Sequence, residues 1–145
     1  MSTEDNKALV RRVIDIINQK NLDAAHEVIG SDYVYNAPGS PTMRGPEGFK
    51  ELIGGYVSAF PDLHMTILDL VAEGDRVVAR WTATGTQRGE LMGVAPTGKQ
   101  ATVVGIIMSR CADGKIVEEH EVFDTLGLLQ QLGALPAPAE LVATG

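Results

Sequence analysis

Residues 100–123 read QATVVGIIMSRCADGKIVEEHEVF. Two apolar, β-branched runs, Gln100 to Ala112 and Lys115 to Phe123, flank Asp113-Gly114. Asp-Gly between two such runs is a strong signal for a tight hairpin. Just upstream, Leu63 to Glu73 and Arg76 to Thr86 repeat the pattern around Gly74-Asp75, so the chain from Leu63 onward is predicted as an antiparallel meander of four strands. The hairpins are joined by Gly85 to Lys99, a long loop with glycines at Gly85, Gly89, Gly93 and Gly98. It is expected to form a mobile rim with Leu91 and Met92 as its apolar tip.

The first half of the chain follows a different period. Leu9, Val10, Val13, Ile14 and Ile17 recur at helical spacing between Asn6 and Asn18, with Ser2 or Thr3 available as a cap. A short helical turn, Leu22 to Ile29, leads into the strand-like Tyr33-Val34-Tyr35. The Pro/Gly/Ser-rich segment 36–45 reads as a loop, and Pro46 suits the first turn of a helix running to about Phe60. A last helix, Asp124 to Gln131, stops at Gly133. Helices first and a meander after them predict an α+β fold, with a pocket between the layers. A single domain is expected over 1–133, followed by a loose tail over 134–145.

The chain has 12 basic and 19 acidic residues, a net charge of -7, and no basic cluster longer than Arg11-Arg12, which argues against nucleic acid as a partner. Its longest apolar stretches, such as Ala101 to Met108, fall far short of the roughly 20 residues that span a bilayer, and Met1 to Asn6 is polar. No membrane partner is expected, and a cytoplasmic location is predicted. Cys111 is the only cysteine, so no internal disulfide can form. Gly93-Val94-Ala95-Pro96-Thr97-Gly98-Lys99 has the glycine and lysine spacing of a phosphate-binding loop, but Gln100 replaces the Ser/Thr and a strand follows instead of a helix. His26, His64 and His120 are too scattered for metal-ligand spacing. Neither a cofactor nor a metal is expected.

Taken in order, Phe60-Pro61-Asp62-Leu63, Gly74-Asp75-Arg76-Val77, Arg80-Trp81-Thr82-Ala83-Thr84-Gly85-Thr86, Pro96-Thr97-Gly98-Lys99, Asp113 through Glu119, and Asp124 through Gly133 form a series of motifs. This series resembles the SnoaL-like polyketide (ester) cyclase family of the NTF2-like superfamily. The resemblance implies an NTF2-like cone, a curved antiparallel sheet wrapped around N-terminal helices. It also implies a cofactor-independent aldol cyclase whose aspartate at the end of the last strand is the general acid/base, here Asp124, with Asn36 matching a pocket asparagine. Met108 and Arg110 stand where the family carries polar side chains.

Strand alternation puts Val122, His120, Glu118 and Ile116 on one side with Asp124, if Asp124 faces the pocket. Asp124 can equally cap the last helix. His120, about 13 Å along an ideal strand from Asp124, is expected as a second acid/base or orienting group and not as a dyad partner. Arg110, if inward, would pair with Glu118 or Asp124. Trp81, Phe123, Tyr35, Phe60 and Met108 are expected to line the pocket, where burial would raise a carboxylate's proton affinity.

The reading is an acid/base enzyme of cyclase or isomerase type, with Asp124, His120 and Arg110 as catalytic groups. Asn36, Trp81, Met108, Glu118, Tyr35 and Phe60 would bind a small apolar carbonyl compound. The alternatives are an epoxide hydrolase-like enzyme and a non-catalytic ligand-binding domain. A homodimer is expected through the outer face of the sheet, carrying Val78, Val104 and Phe123.

Overall fold

The computed structural model describes residues 2–137; the tail from 138 onward lies outside the described residues. Helix α1 (Thr3–Gln19) is followed by a 3-10 turn (Leu22–Ala24), α2 (Ala25–Val28), strand β1 (Ile29–Asn36), the two-residue β2 (Met43–Arg44) and α3 (Gly45–Ala59). Strands β3 (His64–Glu73), β4 (Arg76–Thr86), β5 (Gln100–Ala112) and β6 (Lys115–Phe123) come next, and α4 (Thr125–Gln131) closes the order. The six strands form one sheet in the order β2-β1-β6-β5-β4-β3. β1 runs parallel to β6, while β3 to β6 pair antiparallel. This is the expected α+β, NTF2-like arrangement.

Local chemistry explains the boundaries. Ser2 caps α1 in a reciprocal box: its hydroxyl accepts from the Asp5 N–H while the Asp5 carboxylate accepts from the Ser2 N–H. The apolar stripe of α1 then packs against the sheet, with Val10, Val13, Ile16 and Ile17 buried. Side chains of this size stabilise the fold by roughly 1.5–3 kcal/mol each when fully buried. At the β5–β6 hairpin, Asp113 and Gly114 both take positive φ (52° and 75°), which a tight two-residue turn of this hand requires.

Two features escape the simple strand pattern. The β5–β6 register shifts after Arg110, which faces Glu118, to Cys111, which faces Ile116, so Val117 is an extra residue in a bulge. Ile116 and Val117 are consequently both buried. The loop between β4 and β5 is organised from within by Gln87, which is fully buried. Gln87 donates to the carbonyls of Gly89 and Val94 and accepts from the Thr97 N–H and hydroxyl. Leu91 is tucked into the core beside Phe60 and Leu128, and Met92 alone of the expected tip stands exposed.

Candidate active site

The concave face of the sheet, α1, α3 and α4 enclose a cavity of about 120 Å³. Its walls are almost wholly apolar: Val13 and Ile17 from α1, Leu52 and Tyr56 from α3, Trp81 from β4, Phe123 from β6 and Leu128 from α4 all contribute. Trp81, Tyr35 and Phe60 line it, as the sequence suggests. The indole of Trp81 lies across β5 because its strand partner is Gly105. A Cβ at Gly105 would fall 2.3 Å from the Trp81 ring.

Two carboxylates enter this apolar space, Glu119 and Glu121, from successive inward positions of β6. Each is met by a tyrosine from β1. The Tyr33 hydroxyl donates to Glu119 Oε1 at 2.6 Å and the Tyr35 hydroxyl to Glu121 Oε1 at 2.5 Å. Ser109 on β5 donates to the other oxygen of Glu119, Oε2, at 2.7 Å. Each oxygen of Glu119 therefore accepts one hydroxyl, and the residue is only 5% exposed. Glu121 keeps partial exposure, and among the described residues its Oε2 receives no hydrogen bond. The Trp81 indole N–H lies beside the Glu121 carboxylate, short of hydrogen-bond geometry, and is itself buried without a partner.

Burial governs the electrostatics. Desolvation pushes Glu121 up to about 7, with the neighbouring Glu119 adding to the rise and the Tyr35 hydrogen bond and the nearby Trp81 N–H opposing it. Desolvation also raises Glu119, against the pull of Tyr33 and Ser109. The phenols of Tyr33 and Tyr35 are held neutral, first by burial and then by the adjacent carboxylates.

The expected inward line of Glu118, His120 and Asp124 is corrected by this geometry. The phase of β6 is set by the bulge at Val117 and not by Asp124, which lies beyond the last strand residue. Glu118 and His120 stand on the convex face, where Arg110 Nε donates to Glu118 at 2.8 Å and His120 Nε2 sits 2.8 Å from the same carboxylate. These groups hold Glu118 down at about 2, the Arg110 hydrogen bond first and that of His120 second. Met108 pairs with His120 on that convex face, away from the cavity. Asn36 borders a shallow outer groove with Met108 and His120, and its amide donates to the Glu119 backbone carbonyl at 3.2 Å. Asp124 is exposed and caps α4, accepting from the Gly127 N–H at 2.9 Å. Phe123, expected both in the pocket lining and on the outer face of the sheet, lines the cavity.

The missed residues are Glu119 and Glu121. Their spacing of two on β6 matches the spacing of Tyr33 and Tyr35 on β1, and this paired pattern of donors and acceptors was the available signal.

A curved sheet covered by helices over an apolar cavity, with two carboxylates at its wall, has the form of a small-molecule site. The sequence model of the SnoaL-like polyketide cyclase family matches residues 7–132, and the chain belongs to that family. Aklanonic acid methyl ester cyclase DnrD of Streptomyces peucetius is 32% identical over 138 residues, covering 92% of either chain. Among solved structures, AclR of Streptomyces galilaeus superimposes with a TM-score of 0.85 at 32% identity, over 99% of this chain and 91% of its own. IdmH of Streptomyces antibioticus gives a TM-score of 0.78 at 32% identity, over 88% and 98%. Among the described residues no helix is long and apolar enough to cross a membrane.

Proposed function

We propose that this protein is a cofactor-independent cyclase of a neutral, largely apolar polyketide-type carbonyl compound, with Glu121 as its general base and acid. The supporting observation is the asymmetry of the two buried carboxylates. Glu119 has both oxygens engaged and almost no surface, whereas Glu121 has a free oxygen, partial exposure to the site and a proton affinity near neutrality. An aldol ring closure needs such a group. Glu121 takes a proton from the carbon next to one carbonyl, the resulting enolate carbon bonds to a second carbonyl carbon, and the new alkoxide oxygen takes the proton back. Atoms balance within the substrate, so neither water nor an electron carrier is consumed. The cyclase names of relatives such as DnrD support the reaction class.

The test uses 2-tetralone in deuterium oxide, with exchange at the carbon next to its carbonyl followed by NMR. The wild type is expected to accelerate exchange, and Glu121→Gln, which preserves an acceptor for Tyr35, to lose roughly 10²-fold to 10⁴-fold of the rate with an unchanged melting curve. Wild-type exchange in Glu121→Gln would overturn the assignment. Saturable binding without exchange in the wild type would favour a binding protein instead.

The convex face supports a homodimer. Val71, Val104, Ile106 and Val122 are all exposed there, on three strands, around the Arg110–Glu118–His120 cluster. Sedimentation velocity at micromolar concentration is expected to show a dimer that Ile106→Asp dissociates; a monomer in the wild type would sink the idea.

A further inference from the structure

We propose that Glu119 is a positioning residue, the carboxylate that holds the negative charge of the pair while Glu121 carries the exchangeable proton. The proposal deepens the acid/base reading of Glu121 and rests on it. Both side chains stand on the cavity face of β6 two residues apart, about 6.6 Å along an ideal strand. Two full charges at that separation in a partly buried site repel by an amount equivalent to roughly one to two pH units. Double ionisation is therefore disfavoured at neutral pH, and the pair shares one proton over a wide range.

The hydrogen bonds decide which group keeps the charge. Glu119 receives Tyr33 on one oxygen and Ser109 on the other, at 2.6 and 2.7 Å, and two donors favour the ionised carboxylate more than one does. Glu121 receives only Tyr35 among the described residues. The other polar groups facing Glu121 are Trp81 from β4 and Tyr56 from α3, and Glu119 also feels Cys111 from β5. None of these is cationic, so among the described residues no positive charge lining the cavity competes with Glu119 for control of Glu121. The arrangement gives each residue a separate duty: Glu119, with both oxygens engaged, sets the field, and Glu121, with one oxygen that accepts no hydrogen bond among the described residues, exchanges the proton.

The experiment is a carbon-13 NMR titration of protein labelled at the glutamate carboxyl carbons, with the two signals assigned through Glu119→Gln and Glu121→Gln. In the wild type Glu119 is expected to be ionised at neutral pH and to titrate below Glu121. Glu119→Gln is expected to lower the Glu121 midpoint by about one pH unit, and to move the pH limb of 2-tetralone exchange by the same amount with little change in KM. Ser109→Ala withdraws one donor, makes Glu119 easier to protonate, and should move the Glu121 midpoint in the same direction by less; it carries the test if Glu119→Gln does not fold. A Glu121 midpoint that stays put in the folded variants, or a Glu119 found protonated at neutral pH, overturns the proposal. The titration needs no turnover, so it can fail while Glu121 remains the base, and the base can fail while the titration holds.

Discussion

Glu118 and Glu121 lie three residues apart on the same strand, and the sheet separates them into opposite chemistries. On the convex side Glu118 meets Arg110 and His120 in contact with solvent, and those donors hold its proton affinity down at about 2. On the concave side Glu121 meets apolar walls, a phenol and a second carboxylate, and burial pushes it up to about 7. One side-chain type therefore has its proton affinity lowered on one face and raised on the other. The difference comes from desolvation and partner sign, not from the residue.

The contrast is sharpest in how folding responds to pH, where the two glutamates pull in opposite directions. Glu121 has a folded value above its ordinary 4.5, so the stability it contributes is fully present below 4.5 and is lost as pH rises through about 7. With about 1.36 kcal/mol per pH unit, this gap corresponds to a ceiling of about 3 kcal/mol. Glu118 has a depressed value, so its contribution is present above its ordinary 4.5 and is lost as pH falls through about 2. Urea denaturation at intervals from pH 5 to 8 should show wild-type stability falling with pH, and a shallower fall in Glu121→Gln. The buried Glu119, raised in the same direction, leaves part of the slope in place. Equal slopes in the two proteins would mean that Glu121 is not desolvated and would break the comparison.

How much of this was legible in the sequence differs by scale. Strand limits followed from hairpin chemistry, and β4, β5 and β6 begin and end where Thr86, Gln100, Asp113-Gly114 and Phe123 indicate. The face of each strand was a different matter. Alternation transmits a phase only while the ladder is unbroken, and the bulge at Val117 breaks it between Ile116 and Glu118. Asp124 cannot transmit a phase to β6, since it belongs to the cap of α4. The aromatic lining by Trp81, Tyr35 and Phe60 was readable because large apolar side chains seek the interior from any local phase. Strand β2 went unread because Met43–Arg44 has too few residues to show a period. The inner order of the β4–β5 loop depends on Gln87, a polar residue whose burial has no local sequence signal.

Asp124 gives the smallest and most discriminating effect. The resemblance to known cyclases makes it the acid/base group, and the structure gives its carboxylate another task. Oδ1 accepts from the Gly127 N–H, and Gly127 has no room for a side chain, since a Cβ there would lie 2.1 Å from Asp124 Oδ2. Such a tight fit is what an N-cap requires, because the side chain must fold back over the first turn. Removing it with Asp124→Ala should cost about 1 kcal/mol of stability, the usual loss for an N-cap. The rate of 2-tetralone exchange should stay within about twofold of wild type, since the group neither lines the cavity nor touches Glu121. Thermal denaturation and exchange measured on the same preparation separate the two roles. A rate loss of roughly 10²-fold at unchanged stability would have the size expected of a lost general acid or base. It would return the proton-transfer role to Asp124 and leave Glu121 as a buried structural carboxylate.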